Sequence, residues 1–545
     1  MNANFSLRLA ESAERTPHKR GVVLPIGEGA DVSYAQLTYG QLESRCSTYT
    51  SGLRAAGIKP GMRVVLMVRP GLEFLPLIFA VIRVGAVPVL IDPGMGRGNL
   101  LRCIASVQAE ALIAIPLVHL IRRLKPRFFR GIRIHVSIGH NWFGGLTLPE
   151  LTCGSADSAV AESAIDDPAA IIFTTGSTGP PKGVLYTHGM FNAQTTLLRD
   201  TFGLTSDDID MPGFALFAIF SVGIGMTIVL PDMDPTRPAQ VVPERILEAI
   251  ENHGVTFSFG SPALWNRVSE HCVQHAIKLP TLRVVLMAGA PIPGFLHERM
   301  LTKILTEGAE VYTPYGATEC LPVTSFRGSD VLAETLAMTA SGKGYCVGEP
   351  LPGITVRIIR VSDKPIADWS GVSELPLREI GEIVVSGPVV SREYFELPDK
   401  TAEHKIADGE RFWHRIGDLG YFDEQARLWF CGRKGHRVET GEGMMCTVCC
   451  ESIFNQHPDV FRSALVGIGS DRYAQKPVMI VEPRAFHFPE AVADKTKFRE
   501  ELAKLAAANP LTAGLADIRF HPEFPVDIRH NAKIFREKLA IWAGS

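Results

Sequence analysis

Ten consecutive residues, Thr174-Thr175-Gly176-Ser177-Thr178-Gly179-Pro180-Pro181-Lys182-Gly183, hold three glycines, four hydroxyls and one lysine. Glycines let backbone N–H groups approach an anion closely. Hydroxyls donate to phosphate oxygens, and Lys182 adds a positive charge. Together they read as a cradle for a nucleotide polyphosphate. The stretch is not a Walker A loop, which needs Gly-Lys followed by Ser or Thr and then a helix. Here Pro181 precedes the lysine, Gly183 follows it, and an apolar run comes next. The plain alternative is a polar surface turn.

Further chemistry lies downstream. In Tyr315-Gly316-Ala317-Thr318-Glu319 an aromatic ring can stack on a purine, and a carboxylate beside a phosphate site can hold Mg²⁺. Asp418, in Trp413-His414-Arg415-Ile416-Gly417-Asp418-Leu419-Gly420, is a short carboxylate able to accept both ribose hydroxyls. Phe214, Phe217 and Phe220 suit an apolar acyl pocket. They belong to a twenty-residue run without charge, Met211 to Leu230. That is spanning length, but Pro212, three glycines and the acidic flanks Asp210 and Asp232 favour a buried core segment. Cys446-x-x-Cys449-Cys450, with Cys431 and His436 upstream, has one pair where a structural zinc site prefers two, so buried apolar thiols are expected.

The order Thr-Thr-Gly-Ser-Thr-Gly-x-Pro-Lys-Gly resembles the signature loop of the adenylate-forming superfamily, which includes acyl-CoA synthetases, adenylation domains and luciferases. That resemblance implies ATP and Mg²⁺ as cofactors, with residues 174–179 and Lys182 on the phosphates. It puts Gly289, Ala290 and Pro291 on one side of the adenine and Tyr315, Gly316 and Ala317 on the other. It gives Thr318 to the phosphates, Glu319 to the metal, and Asp418 and Arg433 to the ribose. Lys533, in Pro525-Val526-Asp527-Ile528-Arg529-His530-Asn531-Ala532-Lys533, matches the family's essential C-terminal lysine, which can neutralise charge during attack on the α-phosphate. Two departures stand out. Gly435 occupies a hinge position that often carries Asp or Lys, and the lysine loop is usually a shorter Ser-Gly-Lys.

Thr187-His188-Gly189-Met190-Phe191, the Phe214–Phe220 run with Asp232-Met233-Asp234-Pro235, and the Arg529–Lys533 variant resemble one branch, the β-lactone synthetases of bacterial long-chain olefin biosynthesis. This implies a long 2-alkyl-3-hydroxy fatty acid, activated as acyl-AMP, whose own hydroxyl closes a four-membered lactone. Intramolecular attack gains a high effective concentration. His188 is available for the hydroxyl proton, with a structural role as the plainer reading of a lone histidine. The alternatives are a long-chain fatty acyl-CoA synthetase, a fatty acyl-AMP ligase, or an inactive adenylate-binding scaffold. The branch also implies assembly with a hydrolase-fold β-lactone decarboxylase and a reductase. The basic cluster Arg122, Arg123, Lys125, Arg127, Arg130 and Arg133, with Phe128 and Phe129 between, has the look of a nucleic-acid patch or of a docking face for an acidic partner or membrane surface; the plain alternative is solvated surface, and docking to the pathway neighbours is a weak candidate role.

These residues need a scaffold. A chain of 545 residues is long for one core. Net charge −3 gives no reason to expect nucleic acid. No apolar h-region follows the first residues, and ten scattered cysteines suit reduced thiols in the cytoplasm. Thr38-x-x-Gln41 is a capping box opening a helix with Leu42, Cys46, Tyr49 and Leu53 on one face. Helix patterns at 71–84, 188–199 and 243–253 alternate with strand patterns at 63–68, 86–91, 111–115, 171–173, 184–186, 255–259 and 283–287. Alternation of this kind predicts largely parallel sheets. Past Gly353 strands and polar turns predominate, and from Gly432 short mixed elements follow. The expected fold is α/β. A large N-terminal domain (1–431) has two α/β layers and a β-rich subdomain. A linker at Cys431–Gly435 leads to a small α+β C-terminal lid (432–545).

Overall fold

A computed structural model describes residues 2–27, 32–152, 159–173, 180–485, 487–527 and 534–545. Two large sheets and two small ones, of three and two strands, organise them. The first has seven strands in the order Leu146–Thr147, Ile134–Ser137, Ala111–Ala114, Arg63–Met67, Val87–Ile91, Pro168–Phe173 and Gly183–Thr187. Its neighbours run parallel except the last pair, an antiparallel hairpin that closes the ten-residue loop at Phe173↔Gly183. The central strands are short aliphatic runs buried on both faces, as parallel strands under helices must be, while the edge strand Leu146–Thr147 is half-buried.

The second sheet has fourteen strands. Its parallel centre runs through Arg20–Ile26, Thr227–Val229, Ile209–Asp210, Phe257–Gly260, Val284–Met287 and Glu310–Ala317. Antiparallel strands flank it. The β-rich stretch past Gly353, with strands Thr355–Ile359, Gly381–Ser386, Arg411–Phe422 and Leu428–Arg433, hydrogen-bonds into this sheet through Tyr345–Pro350. It is an extension of the layer and not a separate sheet. The chain leaves the sheet only after Arg433, so Cys431–Arg433, expected as linker, is strand; a 3₁₀ turn at Lys434–His436 follows.

Helices pack as their patterns dictate. Tyr39–Ala55 starts at the capping box, where Thr38 and Gln41 cap one another. Phe74–Val84 is buried over nearly its whole length and begins three residues later than 71. His188–Phe202 and Pro243–His253 follow their sequence signals. The apolar run 211–230 is no single element. It holds a 3₁₀ turn at Ala215–Phe217, the helix Ala218–Ile224 and the strand Thr227–Val229. Among the described residues no helix is long and apolar enough to cross a membrane.

The N-terminal segment joins the two large layers. The Phe5 ring stacks between Phe79, on Phe74–Val84, and Phe191, on His188–Phe202. Asn4 donates from Nδ2 to the Ile82 carbonyl at 3.0 Å. The C-terminal sheet, Val460–Ile468, Lys476–Pro483 and Ile518–Phe520, is covered by helices Thr447–Phe454, Val492–Ala507 and Arg536–Gly544. The last of these starts at Arg536, three residues beyond Lys533, which lies outside the described residues.

Candidate active site

The strand Glu310–Ala317 turns back at once into Cys320–Arg327. The turn is tight enough that a Cβ on Gly316 would meet the Cys320 carbonyl at 2.5 Å. Thr318 and Glu319 sit at its tip. Tyr186, on the strand leaving the ten-residue loop, donates its hydroxyl to the Thr318 carbonyl at 2.6 Å. Tyr394 donates to Glu319 Oε1 at 2.6 Å. The Lys182 ammonium donates to Tyr394 Oη at 3.4 Å, lies over that ring at 4.5 Å, and faces His404 Nε2 at 3.1 Å. Burial lowers the His404 pKa to about 4, and the Lys182 charge adds to this. The imidazole is therefore neutral, with Nδ1–H donating to the Arg415 carbonyl at 3.1 Å and Nε2 accepting from Lys182. Burial also depresses Lys182, while the Glu319 charge opposes that shift. Burial and then Glu319 push the Tyr394 phenol far up, so it stays a donor.

Asp418 and Arg433 are cross-strand neighbours in the antiparallel pair Arg411–Phe422 and Leu428–Arg433. Tyr315 donates its hydroxyl to Asp418 Oδ2 at 2.7 Å. Asp418 Oδ1 forms an ion pair with Arg433 Nη1 at 2.9 Å but takes part in no well-formed hydrogen bond, although it is buried. Burial raises the Asp418 pKa and Arg433 opposes it. An anionic oxygen with unused acceptor capacity suits vicinal hydroxyls. Gly289, Ala290 and Pro291 follow strand Val284–Met287 and share the cavity wall with Tyr315.

The same cavity, about 690 Å³, continues to the aromatic cluster. Phe214 and Phe220 flank Phe217 at 5.7 and 5.8 Å between ring centroids, and Phe217 stacks on Phe259 at 4.1 Å. Ile534 and Arg536 from the C-terminal segment also line it. Residues 174–179 of the loop and Lys533 lie outside the described residues. His188 is elsewhere. It is buried, its Nδ1 accepts the Phe5 N–H at 3.1 Å, and burial lowers its pKa to about 4. That makes it a peg for the N-terminal segment, not a base at hand for a substrate. Among the described residues no group of three or more His, Cys, Asp or Glu side chains is placed to hold a metal; Cys431, Cys446, Cys449 and Cys450 are buried thiols. Glu319 alone is a donor set that fits magnesium, which takes one or two carboxylates and completes its shell with phosphate oxygens and water. Sequence reasoning missed Tyr394 and His404, which belong to no motif recognised in the sequence.

The model of the AMP-binding enzyme family matches residues 9–395. The chain belongs to this family. It is an AMP-forming ligase-type enzyme, and enzymes of the family use ATP. It is 45% identical to the olefin beta-lactone synthetase of Stenotrophomonas maltophilia (strain K279a) over 556 aligned positions, covering 99% of this chain and 98% of that one. It is 44% identical to the olefin beta-lactone synthetase of Xanthomonas campestris pv. campestris, covering 99% and 97%. In fold it is similar to the amide bond synthetase McbA from Marinactinospora thermotolerans, with a TM-score of 0.79 at 23% identity and 99% of each chain covered.

Proposed function

We propose that this enzyme joins the carboxyl of a long 2-alkyl-3-hydroxy fatty acid to AMP and then lets the 3-hydroxyl displace the AMP, giving a β-lactone. The observation that carries this is one continuous cavity in which Glu319, Asp418 and Arg433 share walls with Phe214, Phe217 and Phe220. A polar end suits a nucleotide, and an apolar end suits a fatty chain. The near full-length identity to two olefin beta-lactone synthetases supports the lactone over a thioester product.

In the first step a carboxylate oxygen attacks the α-phosphorus of ATP, and the bond to pyrophosphate breaks. Residues 174–179, Thr318 and Lys182 hold the phosphates in this reading. Tyr315, Gly316, Ala317, Gly289, Ala290 and Pro291 enclose the adenine, and Asp418 with Arg433 takes the ribose. Magnesium, when bound at Glu319, would screen the phosphate charge. Lys533 neutralises charge that develops on the α-phosphate. In the second step the hydroxyl oxygen attacks the acyl carbon, its proton is lost, and the carbon–oxygen bond to AMP breaks. Shielding that mixed anhydride from water is the task of residues 432–545, which we take as a lid on a 1–431 domain. We place the enzyme in the cytoplasm, assembled with a β-lactone decarboxylase and a reductase, with 122–133 as the docking surface; co-purification with that surface reversed in charge tests this.

The decisive experiment is mass spectrometry of the products from ATP, Mg²⁺ and a synthetic 2-alkyl-3-hydroxy acid. The expected product is the acid less one water, with AMP and pyrophosphate in equal amounts and no coenzyme A added. A strict requirement for coenzyme A would sink the lactone assignment. Lys533→Ala is expected to slow carboxylate-dependent pyrophosphate release by about 10²–10³-fold; an undiminished rate removes the lysine from the mechanism.

A further inference from the structure

Among the described residues the apolar end of the cavity contains a buried carboxyl that the adenylation chemistry does not use. Asp210 is 1% exposed and lies on the cavity wall with Leu198, Leu204, Ile224 and Phe257. Its Oδ2 accepts from Ser221 Oγ at 2.6 Å, and Ser221 is on the wall too. Its Oδ1 is buried and finds no hydrogen-bond partner among the described residues.

Strand register gives its depth. Asp210 pairs with Phe257, three residues before Gly260, whose carbonyl accepts from the Ala288 N–H. At the usual strand rise that puts Asp210 roughly 10 Å below the loop assigned to the adenine. In the proposed reading the carboxyl meets the α-phosphate at the polar end of the cavity, with Thr318 and Glu319, and a 3-hydroxyl stays within two carbons of it, above this level. Asp210 therefore does not serve as its base. The neighbours of Asp210 at that depth are aliphatic and aromatic, so what arrives there is the far end of an alkyl chain.

We propose that Asp210, held by Ser221, is the floor of the acyl cavity and sets the longest alkyl chain the enzyme accepts. This rests on the reading of the cavity as an acyl site. A shorter chain leaves room for a water on Oδ1. A chain that reaches the floor must expel that water and strand the oxygen in hydrocarbon, which costs about five- to a hundred-fold in kcat/KM. Burial holds the carboxyl pKa up at about 7, with the Ser221 hydroxyl opposing. Around it, the neighbouring strands and helix present Ile228, Phe257 and Ser221, none charged, and the titratable group that feels its charge is the Tyr39 phenol, kept neutral by burial.

The test is pyrophosphate release with a ladder of 2-alkyl-3-hydroxy acids of increasing chain length, for the parent, Asp210→Leu and Asp210→Asn. The parent should show a drop in kcat/KM at one length. Asp210→Leu, apolar and of similar size, should raise the ratio of long-chain to short-chain kcat/KM about ten-fold. Asp210→Asn, still polar, should keep the drop. Superimposable ladders for parent and Asp210→Leu overturn the proposal. Should Asp210→Leu fail to fold, the parent ladder at about pH 6 and about pH 8 decides: the drop should be steeper at the higher pH, where the carboxyl is ionised and binds its water harder. Equal drops overturn it. No release with any acid defeats the acyl reading itself and this inference with it, whereas release with an unmoved drop defeats this inference alone.

Discussion

Two arginine–carboxylate pairs lie on the same three strands and do opposite things. Glu382 and Arg415 are 0% and 2% exposed, and every polar group of the pair is used. Arg415 donates from Nε and Nη2 to the two Glu382 oxygens at 3.1 and 2.6 Å, and to the carbonyls of Ser362, Lys364 and Glu403. Lys434 adds a further bond to Glu382 at 2.8 Å. Asp418 and Arg433 are looser. The arginine is 35% exposed, and one aspartate oxygen keeps spare acceptor capacity at the cavity wall. Saturation marks a pair whose task is to hold strands together. Spare capacity marks one that is waiting for a ligand.

Breaking the saturated pair should give the largest effect. Glu382→Gln leaves Arg415 and Lys434 as buried uncompensated charges, so a loss of about 3–5 kcal/mol in chemical denaturation is expected. Saturating ATP should not restore it beyond the binding linkage seen for the parent. The opposite pattern is expected for Asp418→Asn. If Asp418 takes the ribose as proposed, a charge-assisted hydrogen bond is lost and KM for ATP should rise at least about ten-fold, while the unfolding free energy stays within about 1 kcal/mol of the parent. If both variants lose stability equally and bind ATP alike, the contrast between the pairs is wrong. Tyr315→Phe removes the hydroxyl that donates to Asp418 Oδ2, and a rise of about five-fold in KM for ATP is expected from initial rates.

The smallest effect is a pH signature. Burial raises the folded-state pKa of Asp418. A raised carboxyl stabilises the fold fully below its unfolded value, about 3.9, and that contribution is lost as pH rises through the folded value. Asp418→Asn should therefore match the parent in strong acid and gain on it as pH rises above about 4. A difference independent of pH would mean that Arg433 compensates the charge completely.

Much of the scaffold was legible because it rests on local rules. The capping box at Thr38–Gln41, the Pro243 start and Gly254 stop of one helix, and the aliphatic strand runs need no distant partner to form. The Phe214, Phe217 and Phe220 cluster was also readable, since spacing of three brings aromatic rings to one side of a tight helical turn. What failed to show was whatever depends on two remote strands meeting. Tyr394 reaches Glu319 from 75 residues away and Lys182 from 212. Neither separation leaves a local pattern. His188 illustrates the converse. Its type allows a base as well as a structural role, and the partner that decides for the latter is a backbone N–H 183 residues upstream, which no motif announces. Asp210 was visible only as the acidic edge of an apolar run. That it turns inward follows from strand alternation, with Ile209 and Met211 packing on the other side of the sheet.

The seating of Asn4 and Phe5 has a consequence for how the protein is made. These residues leave the ribosome well before His188 and Phe191 exist, yet they end between elements of both large layers. Their docking must wait until residues 188–191 have been translated, with Phe5 exposed to chaperones meanwhile. An affinity tag fused directly ahead of Asn4 would then hinder assembly of the nascent chain more than one appended after Ser545, and soluble yield from the two fusions would reveal it.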